Sequence, residues 1–153
     1  MLPTEATGFV RGCDSAVFGR PNMRNAISIG PLALVGAPQA RHLSPRAFRP
    51  QNGRYGAIKV LAVVKGRQDV TVTVARNDRR TFALLYNPNA RANKDGFLFS
   101  AGDYQVTFEA CGSTSFNYNG GFIATRPTCA TLQVVTESSS ASGSLTVGEG
   151  SCP

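Results

Sequence analysis

The chain predicts an all-β fold, and three features carry that expectation. Charged residues make up 16% of its 153 residues, below the roughly 25% usual for soluble domains, so long helices faced with Glu and Lys are not expected. Gly (16) and Pro (9) are plentiful. Short runs alternating apolar and Ser/Thr residues recur from Tyr55 onward, and no segment sustains a helical period. Together these predict one β-sandwich, immunoglobulin-like or jelly-roll-like, of about eight or nine strands spaced roughly 8–12 residues apart. The length suits a single domain with its own core. Residues 1–12 are set apart as a flexible leader remnant and 13–153 as the domain.

Taken in order, Cys13–Asn25 is polar and irregular, and AISIGPLALVG (Ala26–Gly36) divides into two extended pieces at Gly30-Pro31. Ala37–Gly53, with three prolines and little periodicity, predicts a long and mobile surface connection. Ala57–Val64 is nearly continuously apolar, as a buried strand is. In Asp69–Ala75, Val70, Val72 and Val74 face one way and Thr71 and Thr73 the other. Asn77-Asp78 marks a turn before Thr81–Tyr86, and Asn87–Lys94 is a turn-rich loop. Phe97–Phe99 is a short strand, and Tyr104–Ala110 puts Tyr104, Val106, Phe108 and Ala110 on one face. Gly121–Thr125, Ala130–Thr136 and Ser144–Val147 complete the strands, with Glu137–Gly143 (ESSSASG) a flexible hairpin loop.

The four cysteines, Cys13, Cys111, Cys129 and Cys152, contain no Cys-x-x-Cys pair, which argues against a zinc site. An even count predicts two disulfides. Three pairings exist, and one pair near the chain ends with one local pair favours Cys13–Cys152 and Cys111–Cys129. A three-residue turn at Asn119–Gly121 would set Cys111 opposite Cys129 across a hairpin. A stapled irregular loop is the alternative, given the polar Gly112–Ser115 and Pro127. Such bridges persist in oxidising compartments, so a secreted location, or the outer face of the cell envelope, is expected. MLPTEATGFVRGC lacks a basic n-region and an apolar h-region, so it does not read as a signal peptide. Val10–Cys13 is a poor match to a lipoprotein anchor, which would leave Cys152 unpaired. The longest uncharged run, Ala26–Ala40, is too short and too proline-interrupted to span a membrane.

Net charge is +7. Between Asp14 and Asp69 there is no acidic residue, while Arg20, Arg24, Arg41, Arg46, Arg49, Arg54, Lys59, Lys65 and Arg67 all fall there. This predicts either a solvated basic surface or a face for an anionic partner. Basic and aromatic residues are not interleaved as in nucleic-acid stacking platforms, so nucleic acid is not expected.

The motifs KVLAVV (Lys59–Val64), LLYNP (Leu84–Pro88), FEAC (Phe108–Cys111), GGFIATRPTC (Gly120–Cys129) and VGEGSC (Val147–Cys152) span nearly the whole chain. As a set they resemble small secreted proteins of unknown function from actinobacteria. The resemblance implies an exported, disulfide-bonded β-domain and no catalytic residue.

A search for chemistry returns little. The lone histidine, His42, sits in a Pro/Arg-rich stretch, and no Gly-x-Ser-x-Gly occurs. Asn93–Gly96 fails the EF-hand spacing, and most carboxylates adjoin turn residues. No enzyme, cofactor or metal is therefore expected. Candidate binding residues are Arg41, Arg46, Arg49 and Arg54, with Phe116 and Tyr118, whose rings suit either stacking on a partner or filling the core. The expected function is a non-catalytic extracellular binding module of the bacterial cell envelope, meeting an anionic polymer through its basic face. The alternatives are a structural or sensory ectodomain that meets another envelope protein through an edge strand or Ile29–Val35, and a small hydrolase.

Overall fold

The computed structural model describes residues 8–17, 19, 21–112 and 115–153. Among them the chain forms fourteen strands, numbered β1 to β14 along the sequence, linked by short 3₁₀ turns and with no α-helix. The longest sheet has the order β1 (Phe9–Arg11), β10 (Gln105–Phe108), β7 (Val70–Val74), β13 (Thr128–Val135) and β14 (Ser140–Val147). A second has the order β11 (Ser115–Tyr118), β6 (Leu61–Lys65), β3 (Leu32–Val35) and β2 (Ala26–Ile29). A third places β12 (Gly121–Ala124) between β5 (Ile58–Lys59) and β8 (Phe82–Leu85), and β4 (Arg54–Tyr55) pairs with β9 (Phe97–Leu98). The all-β class is as expected. The single two-sheet sandwich of eight or nine strands gives way to four hydrogen-bonded sheets.

The alternation in β7 works as read: Val70, Val72 and Val74 are buried and the two threonines between them are not. Val106 and Phe108 on the neighbouring β10 pair with Val72 and Val70 and are buried, as is Tyr104 just before that strand, so the two strands turn one apolar face of the sheet to the core. Between β2 and β3, Ile29 pairs with Leu32 across Gly30-Pro31. Gly30 supplies the positive φ of 57° that the first position of a tight turn needs, and the ring fixes φ at the second. Ile29, Leu32, Ala33 and Leu34 are interior, so the apolar segment offered as a protein contact is core instead.

Several expectations are corrected. Phe9–Arg11, within the stretch set apart as a leader remnant, is a strand running parallel to β10; residues 1–7 lie outside the described residues. Ala37–Gly53 is not a structureless connection. It forms 3₁₀ turns at Ala37–His42 and Pro45–Phe48, each with proline in its first turn, and buries Ala37, Ala40 and Phe48. Most of the serine-rich loop is strand: β14 begins at Ser140, and the turn is confined to Thr136–Ser139, where the Thr136 hydroxyl accepts from the Ser138 and Ser139 amides. Small residues suit that strand because Ile29 packs against Gly143, where a Cβ would stand 2.9 Å from Cγ1.

The disulfides pair Cys13 with Cys111 and Cys129 with Cys152, not Cys13 with Cys152 or Cys111 with Cys129. The reason is topological. β1 lies beside β10, so Cys13, two residues beyond one strand, meets Cys111, three beyond the other. Cys129 opens β13 beside the end of β14, and the chain returns after Val147 to bring Cys152 to it. No cysteine is free.

Candidate functional site

The site is built at a corner where two strands pass from one sheet to another. Ile58–Lys59 and Leu61–Lys65 are one chain segment with a break at Val60, and β11 and β12 are another with a break at Asn119-Gly120. Their registers match across the break, with Tyr118 opposite Ala62 and Gly121 opposite Lys59, and the Val60 amide donates to the Gly120 carbonyl (3.0 Å). A single long antiparallel ladder therefore bends and serves two sheets. Asn119–Gly121 is the bend of a strand, not the hairpin turn its composition suggested. The glycines are there for close approach: a Cβ on Gly121 would collide with the Ile58 carbonyl, and one on Gly120 with the Tyr86 ring. Ser113 and Thr114, part of the polar stretch before β11, lie outside the described residues.

Arg11 plugs this corner. Its Nη1 donates to the carbonyl oxygens of Tyr86 and Asn119, each at 2.7 Å, and its Nε donates to Ser15 Oγ at 2.7 Å. The guanidinium lies 5.5 Å from the centre of the Tyr118 ring. Tyr118 packs on Phe108, and Phe108 meets Tyr86 edge-on, so an aromatic stack supports the plug. Both phenols are tied to backbone: Tyr86 donates to the Val60 carbonyl (2.9 Å) and Tyr118 to the Glu109 carbonyl (2.6 Å). Burial lowers the Arg11 pKa, with the nearby phenols and Asp14 opposing the shift. Burial raises both tyrosines, and for Tyr118 the Glu109 charge adds to it.

Three clefts open around this corner and share Lys59, which is exposed. One of about 380 Å³ lies between Gly56–Lys59 and the 3₁₀ turns, against Leu43 and Ala47. A second, of about 520 Å³, runs over Val35, Leu61 and Asn119. The third, of about 440 Å³, is bordered by Arg11, Lys59, Tyr86, Pro88, Phe97 and Asn119 among others. No acidic residue lines any of them.

The sequence candidates separate into three groups. Arg41, Arg46 and Arg49 are exposed, on or just after the 3₁₀ turns that wall the first cleft, and their guanidinium groups have no hydrogen-bonded partner among the described residues. Arg54 is half-buried and donates to the Gly96 carbonyl (3.2 Å), so it serves the β4–β9 ribbon. Phe116 and Tyr118, each 0% exposed, are core residues, and their surface-stacking role is withdrawn. The sequence singled out neither Arg11 nor Lys59 as a site residue. The available signal for Arg11 was a cation inside FVRGC, a strand-like run ending at a cysteine. What gives it importance is contact with residues far along the chain.

Among the described residues, no cluster of three or more His, Cys, Asp or Glu side chains could hold a metal ion, and no helix is long and apolar enough to cross a membrane. Comparison of the chain with family models, curated proteins and solved structures finds no match to any of them.

Proposed function

We propose that this chain is an exported, non-catalytic binding domain that holds an anionic polymer of the cell envelope against a basic surface formed by Arg41, Arg46, Arg49 and Lys59. The observation that carries the reading is three exposed guanidinium groups with no partner among the described residues, on or just after the turns that wall the first cleft, where no acidic residue lines that cleft or the two that share Lys59 with it. Cations arranged this way attract a polyanion over a range set by ionic strength. Two disulfides fit the oxidising compartment in which such a polymer is met.

Retention on an immobilised anionic polysaccharide tests it. Binding at about 0.05 M salt should be lost by about 0.5 M, where the screening length falls to a few ångströms. The triple variant Arg41→Gln/Arg46→Gln/Arg49→Gln should elute at markedly lower salt than the parent. Retention indifferent either to salt or to these three substitutions would overturn the proposal.

A further inference from the structure

We propose that the cleft beside Arg11 is a subsite for an acidic sugar, whose carboxylate sits between the Arg11 and Lys59 side chains. This rests on the polymer-binding reading and names the unit recognised.

Arg11 is the reason. It is 6% exposed, yet among the described residues every hydrogen bond its guanidinium makes is to a neutral oxygen, on Ser15, Tyr86 or Asn119. Nη2 has only a 3.5 Å contact with the Ser15 carbonyl, at the outer limit of a hydrogen bond. Asp14 is close enough to act on the guanidinium through space but makes no hydrogen bond to it. A desolvated cation without a bonded counter-charge is costly, and an anion entering from the cleft would offset that cost with charge-assisted hydrogen bonds. Lys59, on the same cleft, supplies a second positive charge.

The rest of the lining selects the body that carries the anion. Pro88 and Phe97 offer carbon surfaces on which the C–H face of a pyranose can rest, and the exposed Asn119 offers an amide for ring hydroxyls. The volume of about 440 Å³ lies within the range of small-ligand sites. The donor capacity left on Nη2 beyond its long Ser15 contact, with one ammonium, matches the two oxygens of a carboxylate. A phosphate dianion would ask for more donors.

The test is an NMR titration of the intact, oxidised protein with D-glucuronate, and with D-glucose as its uncharged counterpart. Glucuronate should shift the amides of Lys59, Asn119 and Gly120, and glucose at the same concentration should not. Lys59→Gln should weaken glucuronate binding about tenfold. Ala90→Phe, which fills this cleft and neither of the other two, should abolish it. Equal responses to the two sugars, no response to glucuronate, or binding that survives Ala90→Phe would each overturn the subsite. The two proposals fail separately. Salt-sensitive polymer retention without glucuronate binding sinks the subsite alone. Glucuronate binding with polymer retention indifferent to Arg41, Arg46 and Arg49 sinks the surface reading alone.

Discussion

Asp103 exchanges both backbone hydrogen bonds with Leu84 (2.8 Å each), so its position is fixed, yet its Oδ2 is buried and accepts no hydrogen bond among the described residues. Burial raises its pKa. The folded state thus holds this proton more tightly than the unfolded chain does. The stability it contributes is complete below the ordinary aspartate range and is lost as pH rises through the raised value. Asp103→Asn removes the charge without changing the shape. The variant should melt above the parent at about pH 7, and the difference should narrow as pH falls toward about 4. Thermal unfolding followed by circular dichroism across that range reads it out. A constant offset at every pH would mean that Asp103 is not the group responsible. Single residues were legible in the sequence where a two-residue period set their environment, as at Val70, Val72 and Val74. Asp103 and Arg11 were not legible, because burial of a charged residue is decided by strands remote in sequence, and nothing local distinguishes them from surface charges.

At the scale of elements, the Asn-Gly-Gly stretch shows what local reading can and cannot deliver. Its composition announces a departure from regular extended chain, and there is one. Local reading supplied a hairpin turn or a stapled irregular loop, whereas the chain bends once and continues along the same partner into a second sheet. The two cases share a residue signature and differ only in long-range pairing. They also differ in what a methyl group does. A three-residue turn takes glycine at its third position for a positive φ; at the bend Gly121 has no positive φ, and a Cβ there runs into the Ile58 carbonyl, where backbone has little room to yield. Gly121→Ala should cost about 1–3 kcal/mol by chemical denaturation, in the range of an overpacked core. It should also lower hydrogen-exchange protection at Val60, whose amide bonds across the bend. Gly56→Ala, with nothing within 4 Å of its Cβ, is the control and should change stability by under about 0.5 kcal/mol. A neutral Gly121→Ala would mean that the ladder does not run through the bend as described. The same logic covers Ser140–Gly143, whose small polar residues read as a loop but are the thin edge strand that Ile29 packs against.

Over the whole molecule, the cysteine count foretold two bridges, but their partners depend on which strands are neighbours, and sequence separation carries no such information. The Cys13–Cys111 bridge closes a sequence separation of 98 and fastens the three-residue β1 to the edge of its sheet; Cys129–Cys152 closes 23 and secures the returning C-terminal segment. Chain entropy makes the first worth about 4.7 kcal/mol and the second about 3.4, each an upper figure. The Cys13→Ser/Cys111→Ser protein should therefore unfold at lower denaturant than the Cys129→Ser/Cys152→Ser protein, and peptide mapping without reduction should recover the segment holding Cys13 joined to that holding Cys111. The consequences for binding should differ in kind as well. Arg11 stands two residues before Cys13, and its guanidinium reaches the corner only while β1 is docked. Loss of the first bridge should thus weaken glucuronate binding under conditions where the protein stays folded, while loss of the second should leave it unchanged. Equal effects on binding from both variants would separate the subsite from β1 and remove Arg11 from it.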